Sequence, residues 1–229
     1  MASCDDLPAV DVLPQGSTKP ASAPRVKKKL YRASLVAGHS ETKLIFDGKT
    51  RVGIDRRALL ATFERRMSDK WTLQGAAGAI VTGMLEVDRE RYALGPGWSA
   101  GISTSYRVLD GRGWKPFVLL GGTLAFAGAR TQEAGKDNAP RIGYLAGDIR
   151  LSALAGINYM PGIAPYAVVR AFGGPIWWQI NGKDVVGTDR YHFQIGVGLA
   201  VSMPSGFDAF IEFVPAGERG LSTGLGYSF

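Results

Sequence analysis

From residue 30 onward, apolar and polar positions alternate one for one along most of the chain. In residues 220–229, Leu221, Thr223, Leu225, Tyr227 and Phe229 fall on one side, and Ser222, Gly224, Gly226 and Ser228 on the other. Successive side chains of a strand point to opposite faces, so this period predicts an extended segment with one greasy face and one nearly bare face. Residues 189–202 repeat it, with Tyr191, Phe193, Ile195, Val197, Leu199 and Val201 opposing His192, Gln194, Gly196, Gly198, Ala200 and Ser202. In 142–159, Leu145, Ile149, Leu151, Ala153, Ile157 and Tyr159 oppose Asp148, Arg150, Ser152 and Asn158. In 206–214, Phe207, Ala209, Ile211 and Phe213 oppose Asp208 and Glu212, with Phe210 an exception on the polar side. The pattern predicts strands near 30–40, 57–66, 71–83, 97–108, 114–128, 142–159, 164–178, 189–202, 206–214 and 220–229, about ten in all, with eight as the fallback if 30–66 is misread. Only "RRALLATFERRM" lets a helix compete with a strand.

The connections sort by length. Short turns occur at 67–70, 110–113, 160–164 and 203–206, and longer polar connections at 41–55, 84–96, 129–141, 181–188 and 215–219. Short and long alternate, as in a closed antiparallel barrel with tight turns on one side of a membrane and longer loops on the other. No run of about 18 apolar residues is present, which argues against a transmembrane helix but not against membrane strands of about 9–11 residues.

The polar face decides between a soluble barrel and a membrane barrel. A solvated outer surface would be dense in Lys and Glu. Here it carries Gly, Ser, Ala and isolated charges of both signs, which suit a narrow bore. Gly is frequent, at 31 of 229 residues, and stands inside strands, consistent with a crowded interior. The predicted lumen set is Arg32, Glu64, Arg66, Arg107, Asp148, Arg150, Arg170, His192, Asp208 and Glu212. Trp71, Tyr106, Trp114, Tyr159, Tyr166 and Phe229 lie beside the short turns, and Trp98, Trp177 and Trp178 near the long connections. Two such bands are expected of interface aromatics at the two edges of a bilayer.

Residues 1–29 are rich in Pro, Ser, Ala and charge without period, which predicts a disordered tether. Cys4 is the single cysteine, so no intrachain disulfide forms, and "MASC" is similar to the end of a bacterial lipobox, making Cys4 a candidate lipidation site. The formal charge of +7 includes Arg25, Lys27, Lys28 and Lys29 but no basic stripe with stacking aromatics, which speaks against nucleic acid and for anionic lipid headgroups.

On these residues the chain resembles the small outer-membrane β-barrel proteins of Gram-negative bacteria, the OmpA/OmpX/OmpW-like barrels. The resemblance implies an all-β fold: a closed antiparallel transmembrane β-barrel over 30–229 in the outer membrane, with a periplasmic N-terminus. It also implies that Leu221, Leu225, Tyr227 and Phe229 form the C-terminal signal read by the barrel-assembly machinery. The implied partners are outer-membrane lipids including lipopolysaccharide, and the implied state is a monomer.

Little catalytic chemistry is visible. The two histidines are His39 and His192. His39, Ser40 and Glu41 supply the types of a hydrolytic triad, but adjacent strand residues face opposite ways. No metal-ligand cluster or phosphate loop is legible, and no cofactor is expected. The leading expectation is a structural or binding barrel with at most a narrow polar lumen. The alternatives are a small-solute channel, a lipid-modifying or proteolytic enzyme centred on His192, and a soluble lipocalin-like barrel with an apolar interior.

Overall fold

The computed structural model describes residues 29–87, 90–111, 115–136, 140–180 and 182–229. Cys4 and nearly all of the tether, as well as Trp114, lie outside the described residues. Among the described residues, thirteen antiparallel strands form one sheet: β1 (Tyr31–Phe46), β2 (Thr50–Arg66), β3 (Trp71–Val87), β4 (Glu90–Leu94), β5 (Gly97–Asp110), β6 (Phe117–Glu133), β7 (Ile142–Gly156), β8 (Ile163–Gly173), β9 (Ile176–Ile180), β10 (Lys183–Asp189), β11 (Phe193–Ser202), β12 (Phe207–Gly217) and β13 (Arg219–Ser228). The stretch 56–67 is strand, not helix, up to Arg66.

Ten of these strands close a trunk in the order β1-β2-β3-β5-β6-β7-β8-β11-β12-β13, and β13 pairs back onto β1 from Arg32↔Ser228 to Glu41↔Arg219. Each of the ten sequence-predicted strands has its counterpart in this ring, but 164–178 is divided: β8 ends at Gly173, and residues 176–178 belong to β9. Strands of about 9–11 residues suffice to cross a bilayer. β8, β11, β12 and β13 have 10 or 11 residues, whereas β1, β2, β3 and β6 have 16 or 17.

The surplus length builds a second, narrower ring at the end opposite Leu30 and Phe229. There β1, β2, β3, β4, β6, β7, β9 and β10 pair in sequence, and β10 returns to β1 through Phe46↔Gly187. This eight-stranded collar corrects the reading of 41–55, 84–96, 129–141 and 181–188 as polar loops. Residues 41–55 are two strands joined by a tight turn at Asp47 and Gly48, with φ of 50° and 69°. Both central residues have positive φ, the conformation that Asp-Gly favours in a hairpin, and Lys49 N donates to the Phe46 carbonyl at 3.0 Å.

The two rings are filled differently. Inside the collar, Leu44, Phe46, Val52, Ile54, Leu85, Val87, Tyr92, Tyr144, Ile176 and Trp178 form one buried apolar cluster. Inside the trunk, a second cluster including Val36, Leu60, Phe117, Tyr166, Val168 and Phe210 is accompanied by buried charges. Phe210, the exception in its strand, is therefore a core residue; its ring occupies the space that a side chain on Gly224 would need.

The trunk exterior is apolar. Leu35, Leu59, Phe63, Ile149, Leu151, Val197, Ile211 and Leu225 are exposed, Leu225 by 70%. A water-soluble surface would not carry so continuous a belt. Aromatic rings gather at its lower rim, where Tyr31 stacks on Phe63 and Phe229, Trp71 meets Tyr106 and Phe207 meets Tyr227.

Candidate functional site: the filled bore and the outer wall

The trunk strands aim charged residues inward at three levels. Nearest the termini, Arg32 on β1 donates through Nε to Asp208 Oδ2 at 2.9 Å, and its Nη1 lies 3.6 Å from Glu64. Arg32 reaches β12 across β13 because Gly226 stands between them. A Cβ on Gly226 would lie 2.7 Å from both Arg32 Nη2 and Asp208 Oδ1. Larger residues at 226 would therefore break the pair. Small residues facing the bore, expected from composition, have this use.

Above it, Arg170 grips Glu212 with two parallel hydrogen bonds of 2.7 and 2.9 Å, and the Tyr166 hydroxyl donates to the same carboxylate at 3.2 Å. Tyr166 is thus a lumen residue and not an interface aromatic. Higher still, Arg150 donates to Asp148 at 2.8 Å, lies 3.6 Å from Glu218 and rests over the Phe172 ring at 4.4 Å. With its amide oxygen turned toward them, Gln194 accepts from Arg150 Nη1 at 2.8 Å and Arg170 Nη1 at 3.1 Å, joining the two upper levels. Paired, multiply hydrogen-bonded charges are the arrangement a dry interior tolerates.

Of the predicted lumen set, Arg32, Glu64, Asp148, Arg150, Arg170, Asp208 and Glu212 are all buried inside. Arg66 and Arg107 are half-buried near the rim at the chain termini. His192 is not in the bore. It precedes β11, is exposed, and its Nδ1 lies 3.2 Å from the Phe172 carbonyl, because the alternation of β11 begins only at Phe193. Among the predicted interface aromatics, Trp71, Trp98 and Trp177 are exposed. Trp178 is corrected to a collar core residue: it is 3% exposed, packs on Phe46 and Tyr92, and donates from Nε1 to Thr131 Oγ1 at 2.9 Å. The assembly-signal residues Leu221, Leu225, Tyr227 and Phe229 all face outward.

Sequence reading missed Arg56, Asp189 and Glu218, each 4% exposed or less. Arg56 shares the parity of Glu64 and was legible had β2 been extended through the supposed loop. Glu218 sits at the β12–β13 turn beyond a break in register, where parity gives no guidance.

On the outer wall, at the upper edge of the belt, His39 Nε2 lies 3.0 Å from Asp55 Oδ2 and 4.0 Å from Glu41 Oε1. These three present one ligand atom each within 4.8 Å of one another, the single such group among the described residues. His39 and Asp55 are hydrogen-bonded to each other, and Glu41 is exposed and Asp55 half-exposed, as surface charges commonly are. Ser40 points into the barrel, where Arg56 Nε donates to its hydroxyl at 3.4 Å, so His39 and Ser40 do not meet.

Outside the trunk, Tyr92 of the collar donates from its hydroxyl to Glu90 at 2.8 Å. Burial, followed by that acceptor, pushes its phenol up to about 12.

No protein-family model matches the chain, and no curated protein matches it in sequence. Solved structures do match in fold. The outer membrane protease OmpT from Escherichia coli aligns over 87% of this chain and 97% of its own at 8% identity and a TM-score of 0.52. The translocator domain of the autotransporter NalP from Neisseria meningitidis aligns over 88% and 89% at 12% identity and a TM-score of 0.51. At such identities the likeness extends to the fold alone. The chain therefore has the closed antiparallel β-barrel fold of the small outer-membrane barrels.

Proposed function

We propose that the protein is an integral outer-membrane β-barrel with a structural or binding role, which does not conduct solutes. The supporting observation is the collar core. Leu44, Phe46, Val52, Leu85 and Ile176 project into that ring with no exposed surface, or essentially none, leaving no water-wide passage among them. Below them the bore is filled by the Arg150, Arg170 and Arg32 ion-pair levels. A narrow barrel is filled by its own side chains unless the strand number grows well beyond about eight.

The belt orients the barrel. Leu30, Phe229 and the turns at 67–70, 160–164 and 203–206 share one rim, which we place on the periplasmic side, with the collar outside. Leu221, Leu225, Tyr227 and Phe229 are offered to the barrel-assembly machinery, and the belt to outer-membrane lipids; the working state is a monomer. A catalytic role finds no support in the histidines, since neither shares a hydrogen bond with a hydroxyl among the described residues.

The test is conductance of the purified full-length chain in a planar bilayer. The expected trace is flat within the leak of the lipid. Reproducible unitary steps from the unaltered chain would overturn the non-conducting reading and favour the channel.

A further inference from the structure

The wall of the barrel has a step. On one side β1, β2 and β3 rise into the collar; on the other, β12 turns into β13 at Gly217, Glu218 and Arg219. The angle between them is an open groove of about 950 Å³ on the outer surface, lined by Lys43, Arg57, Met84, Tyr191, Phe193 and Arg219 among others. Immediately below it on the same outer face stand Leu35, Leu59 and Leu221, each about half exposed or more. The groove therefore opens where the apolar belt ends.

The charges in this groove are sorted in an unexpected way. Arg219 is the register partner of Glu41, and Arg57 is that of His39. Simple pairing would join Glu41 to Arg219 and Asp55 to Arg57. Instead Glu41 and Asp55 both turn to His39, and Glu86 is held by Arg91 at 3.6 Å. Lys43, Arg57 and Arg219 are exposed and form no ion pair with any described residue. Two strand spacings of about 4.8 Å and an offset of two residues along the strands, roughly 12 Å between backbones in all, separate Arg57 from Arg219, a gap that two arginine side chains can bridge through an anion held between them. Two guanidinium forks converging on one space are suited to phosphate oxygens, which accept bidentate hydrogen bonds.

We propose that this groove holds the phosphorylated headgroup of a glycolipid from the outer leaflet, clamped by Arg57 and Arg219 and assisted by Lys43. The acyl chains would run down over Leu59, Leu35 and Leu221, and Tyr191 and Phe193 would flank the sugar. The position of the cations selects this occupant. A soluble anion has no reason to be bound at the edge of a lipid-facing belt, whereas a lipid phosphate lies at that depth by its own amphipathy. The inference rests on the membrane reading above and adds a specific lipid site to it.

The experiment is native mass spectrometry of the full-length chain in detergent, titrated with bisphosphorylated lipid A and, separately, with its dephosphorylated form. The phosphorylated lipid is expected to bind about tenfold more tightly, the scale of one or two charge-assisted contacts. The double variant Arg57→Gln/Arg219→Gln should lose that preference, and Arg141→Gln, a collar cation outside the groove, should keep it. Equal binding of the two lipids, or an undiminished preference in the double variant, would overturn the proposal. Displacement of the lipid by millimolar inorganic phosphate would overturn the lipid assignment in favour of a free anion. Heat-modifiable migration of each variant shows that the barrel has folded. Failure of the unaltered chain to show it would instead sink the membrane reading itself.

Discussion

Glu212→Leu removes the carboxylate that takes two hydrogen bonds from Arg170, a guanidinium 3% exposed in the middle of the bore. The size of the resulting loss reports how dry the bore is. In a water-excluded interior, stripping one partner from a buried pair leaves a charge poorly compensated and costs about 3–5 kcal/mol. In a water-filled channel the same two charges would be screened, and their attraction would amount to about 1 kcal/mol or less. The Gln194 amide remains beside Arg170 and moderates the loss without replacing a charge. The assay is urea unfolding of the barrel in lipid vesicles, followed by tryptophan fluorescence. With a urea slope of about 1–3 kcal/mol per molar, the dry-bore loss lowers the midpoint by about 1 M or more. The paired replacement Arg170→Met/Glu212→Leu separates burial from misfolding. Exchanging a buried ion pair for apolar residues is often neutral or stabilising by about 1–4 kcal/mol, so the double variant should recover most of the midpoint. If Glu212→Leu alone stays within about 1 kcal/mol of the unaltered protein, the bore is wet at this level and the reasoning for a closed barrel fails.

Two further predictions concern the collar. Trp178→Ala removes a ring packed on Phe46 and Tyr92 and leaves Thr131 without its indole donor, at a cost of about 3–5 kcal/mol; the collar should become protease-sensitive while the trunk keeps its heat-modifiable migration, and concerted loss of both would show that the rings do not fold as separable units. The Tyr92 phenol, raised to about 12 in the folded protein, favours its neutral form there, so its contribution is complete below about pH 10 and is lost as pH rises through about 12; Tyr92→Phe should remove one tyrosine from the late-ionising part of an ultraviolet titration, and an unchanged titration curve would contradict the assignment.

The trunk was legible in the sequence because lipid imposes a strict rule on it: every second residue must be apolar, and the intervening ones must fit a narrow bore. Arg32, Asp148, Arg150, Arg170 and Glu212 follow from parity alone. The collar was not legible, for two physical reasons. Register breaks interrupt the alternation, as between Arg57 and Ala58 of β2 opposite Thr82 and Ile80 of β3, so the inward positions of β3 pass from even-numbered residues such as Ile80 to odd-numbered Leu85 and Val87. Beyond the lipid, the outward face becomes charged, and a hairpin with Lys43 on the outer face of β1 and Arg51 and Asp55 on that of β2 reads as a loop when the expected apolar face is the outer one. His192 failed because it lies just before β11, where one residue of displacement turns a side chain from one face to the other, and Trp178 because it stands in β9, a collar strand whose inner face is apolar.

That failure carries information about where the membrane surface lies. In β1 the outward apolar residues are Leu35 and Ala37, whereas further along the inward residues Leu44 and Phe46 are apolar. β2 shows the same exchange, from outward Phe63, Ala61 and Leu59 to inward Ile54 and Val52. A wall surrounded by lipid is apolar outside, and a wall surrounded by water is apolar inside. The parity exchange on β1 and β2 therefore marks the level at which this part of the wall leaves one solvent for the other. On β1 and β2 it falls at His39–Lys43 and Asp55–Arg57. The unpaired cations of the outer groove stand at that level, with hydrocarbon-facing leucines one step below and the water-facing collar above. A polar surface at this level meets lipid headgroups before it meets anything dissolved in water, which is the physical reason for assigning Arg57 and Arg219 to a lipid phosphate.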